Sequence, residues 1–218
     1  MTPAILRTVL AFAIVFGIGI IANIFANQRD GAHDRMASAG GTPALRQETT
    51  LATAKLSREA EQRRVVDGVR RQLIDRGYLS AAVASVAGSS LAVHAAILAF
   101  EYDYHLALAA TPTDAVLEAL IFTHAKASKT PIGTPTTDVA RKIIAEVQRA
   151  LENLGYGGSH LSGKLDAETK QAISKFERAR GLQVSGRISA PLIESLGPAV
   201  DRDALGAALA REEGRTAG

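Results

Sequence analysis

Val147-Gln148-Arg149-Ala150-Leu151-Glu152-Asn153-Leu154-Gly155-Tyr156 decides how this chain is read, because an earlier stretch carries the same skeleton. At an offset of 78 stands Val69-Arg70-Arg71-Gln72-Leu73-Ile74-Asp75-Arg76-Gly77-Tyr78, and Val, Leu, Gly and Tyr coincide. Further on the offset becomes 76: Ile97, Phe100 and Glu101 stand over Ile173, Phe176 and Glu177, Leu106 over Leu182, Glu118 over Glu194, and Leu120 over Leu196. The change of two corresponds to one small loop deletion in the second copy. Self-similarity of this kind marks a duplicated unit, and a chain of 218 residues has room for two.

Each unit reads as three short helices. In the second copy Thr137-Asp138 caps a helix running to Leu154, with Val139, Ile143, Ile144, Val147, Leu151 and Leu154 at helical spacing. Gly155 ends it. A loop through Gly157-Gly158 and Ser162-Gly163 leads to a second helix over 166–180, whose Ala172, Ile173 and Phe176 face inward. Gly181 ends that helix, and a turn at Ser185-Gly186 precedes a third helix over 190–196. The copies are separated by 129–137, where two Pro and four Thr read as a linker.

Working outward toward the N-terminus, Thr8 to Ala26 is nineteen residues without a charge, eleven of them Leu, Ile, Val or Phe. As a helix it is long enough for the hydrocarbon core, about 30 Å thick. The apolar stretch exceeds that of a cleaved signal peptide, and Ile24-Phe25-Ala26 is a poor cleavage site. The expectation is an uncleaved membrane anchor over 1–27. The Lys/Arg count on its two sides sets no firm orientation. Residues 28–64 read as a Gly/Ala/Ser/Thr-rich spacer followed by a charged helical stem. The remaining divisions are 65–128 for the first copy, 138–197 for the second and 198–218 for a tail, with a short Ala-rich helix around Asp203 to Arg211. The fold class expected is all-α, an N-terminal transmembrane helix followed by two tandem three-helix modules.

Composition narrows the chemistry. The chain has no Cys, which excludes disulfides, Cys zinc sites, Fe–S clusters and thiol nucleophiles. His33, His94, His105, His124 and His160 form no His-x-x-x-His or His-Glu-x-x-His pattern, so no helix-borne metal site is indicated. Ser159-His160 are loop neighbours with no Gly-x-Ser-x-Gly elbow. The acidic pairs Glu101/Asp103 and Asp166/Glu168 lie close in sequence, whereas a glycosidase holds its carboxyls across a cleft. No catalytic residue, cofactor or metal is expected, and no basic stripe bearing aromatics invites nucleic acid.

The order Val-Gln…Leu…Leu-Gly-Tyr, a loop, Ser-Gly-x-Leu-Asp-x-x-Thr-x-x-Ala-Ile-x-x-Phe-Glu, then Gly-Leu-x-Val-Ser-Gly-Arg-Ile-Ser resembles the peptidoglycan-binding-domain-like three-helix module. The resemblance covers 140–196 well and 66–121 only in skeleton. Where that family usually has Asp-Gly in the first loop and the second turn, this chain has Ser162-Gly163 and Ser185-Gly186; the usual Gln after the Phe is Glu177. The first copy is degenerate, with Ala87-Gly88 and Ala109-Ala110 at those places. The resemblance implies a non-catalytic envelope protein with its modules in the periplasm of a bacterium, anchored in the inner membrane and binding peptidoglycan through the second copy.

Charge separates the two copies. Residues 81–128 carry a net −3 and 129–196 a net +3. The candidate ligand-binding residues are Tyr156, Ser162, Gly163, Lys164, Arg178, Arg180, Ser185, Gly186 and Arg187, acting through loop backbone amides around 155–163 and through charge attraction to acidic groups of wall peptides. An ordinary solvated face accounts equally for the same cations, and Tyr156 reads first as a plug beneath the loop, with a ring lining a glycan or peptide groove as the alternative. The alternative role is a protein–protein scaffold: a homo-oligomer, or a subunit of an envelope complex, built on the same repeats.

Overall fold

In the computed structural model the described residues are 43–85, 90–122, 128–157, 161–203, 205–207 and 209. Helix α1 (Pro43–Asp75) is followed by the single turn α2 (Ala81–Ala84), α3 (Ser90–Asp103), α4 (Asp114–Phe122), α5 (Asp138–Asn153), α6 (Ala167–Ala179), α7 (Ala190–Leu196) and a 3₁₀ turn at Gly197–Ala199. The described residues are mostly helical. Their only β pairing is an isolated bridge between Leu108 and Pro135. The all-α part of the expectation therefore stands.

The transmembrane part does not. Among the described residues no helix is long and apolar enough to cross a membrane, so the expected spanning helix and single-pass inner-membrane placement are withdrawn. Residues 1–27, on which that expectation fell, lie outside the described residues. The one long helix, α1, carries charge through its whole length, from Arg46 and Glu48 to Arg70, Arg71 and Asp75. Hydrocarbon would have to desolvate each of these groups. Helix α1 also begins at Pro43, inside the stretch read as a flexible spacer. Proline suits a first helical position, where no N–H is needed, and good helix formers follow it.

The compact unit begins at Thr53. Residues 52–58 of α1 are exposed, and the helix buries Val65, Val69 and Leu73, spaced four apart on one face, with Ile74 packed beside them. Helix α3 is different. Leu91 to Glu101 are all buried, as a helix that is apolar all round requires. Its alanines let neighbours approach closely, and it packs most extensively against α7. Leu91, Ala95 and Leu98 of α3 join the core of Ile143, Ile144, Val147, Leu151, Ile173, Phe176 and Leu192. Ala190 of α7 in turn joins the core of Val69, Leu73, Ile97, Phe100 and Leu120. Beyond α7, Leu205 and Leu209 of the tail are buried in the first of these cores.

The α5–α7 helices start where their caps dictate. Thr137 Oγ1 accepts from Ala140 N (3.1 Å), Asp166 Oδ1 from Thr169 N (2.9 Å) and Ser189 Oγ from Leu192 N (3.3 Å). Thr137 Oγ1 also donates to Ala109 O at 2.6 Å, and Thr136 N to Leu108 O at 2.9 Å. The stretch expected as a linker is thus pinned to the chain preceding it. Within it, Gly133 (φ +90°) lies so close to the Leu165 carbonyl that an added Cβ would sit 2.3 Å from its oxygen.

The sequence offsets reappear in the hydrogen bonds. Tyr78 N donates to Leu73 O and Tyr156 N to Leu151 O; Leu106 N donates to Glu101 O and Leu182 N to Glu177 O. The Tyr78 ring meets Phe100 edge-on at 5.7 Å, and Tyr156 meets Phe176 edge-on at 5.3 Å. Thr113 Oγ1 accepts from Val116 N at 3.3 Å, the distance at which Ser189 serves Leu192.

Candidate functional site

Two buried side chains hold the turns of α5–α7. Gln148, on the core face of α5, is 5% exposed. Its Nε2 lies 2.9 Å from Ser162 Oγ, 3.0 Å from Lys164 O and 2.7 Å from Thr169 Oγ1, while its Oε1 accepts from Gly163 N at 2.9 Å. One amide thereby ties the first loop to α5 and to the first turn of α6. Ser162 Oγ also donates to Asp166 Oδ2 at 2.9 Å. The Thr169 amide, first among several donors, holds the Asp166 carboxyl below its ordinary range. The second anchor is Glu177, buried on α6. Its Oε2 accepts from Ser185 N (2.6 Å) and Gly186 N (2.9 Å), and its Oε1 from Ser185 Oγ (2.7 Å).

These anchors engage much of the candidate ligand-binding set from inside. Ser162 and Gly163 are bonded to Gln148, and Ser185 and Gly186 to Glu177. Tyr156 is half-buried with its ring on Phe176, the plug geometry. Arg187 pairs with Asp103, its guanidinium lying 5.4 Å from the Tyr78 ring centre. Tyr78 OH donates to the same Asp103 at 2.9 Å. Burial, then Asp103, raises the Tyr78 hydroxyl pKa. The loop amides are also engaged: Gly155 N with Glu152 O, Tyr156 N and Gly157 N with Leu151 O.

Of the candidate cations, Lys164, Arg178 and Arg180 face solvent, as do Ser162 and Ser185 despite their inward bonds. Lys164 precedes α6, whereas Arg178 lies in its last turn and Arg180 caps its end; the eleven helical residues before Arg178 alone span roughly 17 Å at 1.5 Å per residue. The three cations do not form one cluster. Arg180 lies over the Phe176 ring at 5.4 Å. Between α5 and the start of α6, a crevice lined by Gln148, Asp166 and Thr169 has a volume of only about 10 Å³, too small for a sugar or peptide group.

A broad depression of about 800 Å³ lies instead where α5 ends against the chain after α7, lined by Arg149, Asn153, Gly197–Asp203 and the groups between them. Asp201 N donates to Glu146 Oε1 at 2.6 Å, and Arg149 pairs with the same glutamate. Sequence reasoning missed this place because it assigned 198–218 to a tail. The Gly197-Pro198 pair after α7, a turn signal that folds the chain back, was the available clue. Among the described residues no group of three or more His, Asp or Glu side chains could hold a metal ion.

Fold and surface together define a small all-helical module, with its turns held by buried polar side chains and its cations outside. Residues 141–196 match the family described as "Putative peptidoglycan binding domain". The match runs from the first turn of α5 to the last residue of α7 and supports a peptidoglycan-binding-like domain there. No curated protein and no solved structure matches the chain.

Proposed function

We propose that this chain is a non-catalytic cell-envelope protein that binds peptidoglycan through the module at 138–197, and that 65–128 is a second, degenerate copy of the same unit. The observation that carries the function is the family match over 141–196. Support for the duplication comes from the hydrogen bonds and ring contacts that recur at offsets of 78 and 76. The contact surface we assign is outward: Lys164 at one end of α6, Arg178 and Arg180 at the other. Cations suit the carboxylates of wall peptides, and exposed pairings of this kind are individually weak, so affinity depends on several contacts made together.

The test is retention of the full chain on isolated sacculi. Lys164→Ala, Arg178→Ala and Arg180→Ala combined should lower retention several-fold, and unchanged retention would remove this surface from the proposal. A parallel Arg149→Ala/Arg202→Ala variant asks whether the depression takes part. Wild-type chain that stays in the supernatant would overturn the function itself. The scaffold reading draws on Ile121 and Phe122, which are 48% and 46% exposed at the end of α4. A large assembly in solution without sacculus retention would favour it.

A further inference from the structure

Among the described residues the first copy contains a cavity at the start of α4. It has a volume of about 520 Å³ and is lined by Leu106, Ala107, Ala109, Val116, Ala119 and Phe122, together with Thr113, Ala115, Ser128 and two carboxylates, Glu101 and Glu118. The size lies within the usual range for small-molecule sites. Among the described residues the charged side chains lining it are both acidic.

Glu101 is 1% exposed. Its Oε2 accepts from Ala109 N at 2.9 Å and Ala110 N at 3.0 Å, as Glu177 Oε2 accepts from Ser185 N and Gly186 N. The other oxygens differ. Glu177 Oε1 is satisfied by the Ser185 hydroxyl at 2.7 Å. The residue 76 positions before Ser185 is Ala109, which has no hydroxyl. Among the described residues no hydrogen bond reaches Glu101 Oε1. A buried carboxylate has therefore lost one donor, and the residue that would have supplied it is part of an apolar cavity wall.

We propose that this cavity binds an aliphatic primary ammonium group, the nitrogen on Glu101 Oε1 and the carbon chain along Leu106, Val116, Ala119 and Phe122. An ammonium group supplies the missing donors and the counter-charge together, the two conditions under which a buried carboxylate is tolerated. The methylenes gain by leaving water. Burial pushes the Glu101 carboxyl up to about 8, with the Ala109 and Ala110 amides acting the other way. This is the behaviour of a group without a cationic partner. The proposal concerns the first copy and does not depend on peptidoglycan binding by the second.

The test is a titration of the full chain, followed through the amide resonances of Ala109 and Ala110. Hexylammonium chloride should shift both and saturate, while hexan-1-ol and hexanoate should bind at least tenfold more weakly. Glu101→Gln should weaken hexylammonium tenfold or more. Ala109→Ser restores the hydroxyl found beside Glu177 and keeps the turn, and should weaken it comparably. It thus serves even if the glutamine variant does not fold. Nα-acetyl-lysine-N-methylamide separates the sources: binding like hexylammonium assigns the site to a peptide side chain, and failure beside a binding hexylammonium assigns it to a free amine. Equal affinity for hexylammonium and hexan-1-ol, or hexylammonium binding unchanged in Ala109→Ser, would overturn the proposal.

Discussion

Glu101 should make the stability of this protein fall between mildly acidic and mildly alkaline pH. In the unfolded chain its carboxyl ionises near the ordinary 4.5; in the fold, burial pushes it up to about 8. The folded state therefore keeps a proton that the unfolded state has released over this window. Stability from this group is complete below pH 4.5 and declines as pH rises, levelling off above about 8. Each pH unit is worth about 1.4 kcal/mol, so the whole interval amounts to about 5 kcal/mol, comparable to the total stability of a small domain. The assay is urea denaturation of wild type and Glu101→Gln at intervals from pH 4.5 to 9. The glutamine keeps a carbonyl for the Ala109 and Ala110 amides but does not titrate. Asp166, whose pKa is lowered, acts in the opposite sense and at lower pH, and it is common to both proteins. The wild-type curve should fall away from the Glu101→Gln curve by several kcal/mol. Parallel curves over pH 5–8 would refute the reasoning and show that the two amides, not burial, decide the charge of Glu101.

Ala110 holds φ at +55°, where Gly186 stands 76 residues later at +64°. A side chain in that region costs about 1–2 kcal/mol. The added freedom of an unfolded glycine and the loss of a fully buried methyl, about 0.8 kcal/mol, offset that relief, so Ala110→Gly should leave unfolding free energy within about 1 kcal/mol of wild type; a larger loss in urea denaturation would contradict this. Gln148→Ala leaves the buried Gly163 N–H without its acceptor and frees the loop from α5, which should cost about 2–3 kcal/mol. Hydrogen exchange at Gly163 should accelerate accordingly, and unchanged protection there would show that the loop holds itself.

The α5–α7 helices were legible because their signals are local. Threonine, aspartate and serine caps stand next to apolar stripes of helical period, and the structure starts each helix at those caps. The pair Tyr156 and Phe176 could likewise be read as structural, since both stand at matching places in the two stretches. The site was less legible. A Ser-Gly pair in a loop looks the same whether its polar atoms face a ligand or a buried carboxylate. Glu177 and Gln148 lie 8 and 15 residues from the turns they hold, and no local pattern announces that reach.

By itself the sequence determined the helical class and the boundaries of α5–α7, consequences of short-range periodicity and capping, and it carries the offsets of 78 and 76 as self-similarity. Only the tertiary structure decided what those residues face. Arg187, read as a ligand-facing cation, lies beside Asp103 and Tyr78, residues 84 and 109 positions away. The stretch read as a linker is bonded to Leu108 and Ala109. Helix α3 is enclosed on all sides, leaving Glu101 with one satisfied oxygen beside an apolar cavity. Burial and the loss of a partner depend on which distant segments pack together, a property that no window of neighbouring residues contains.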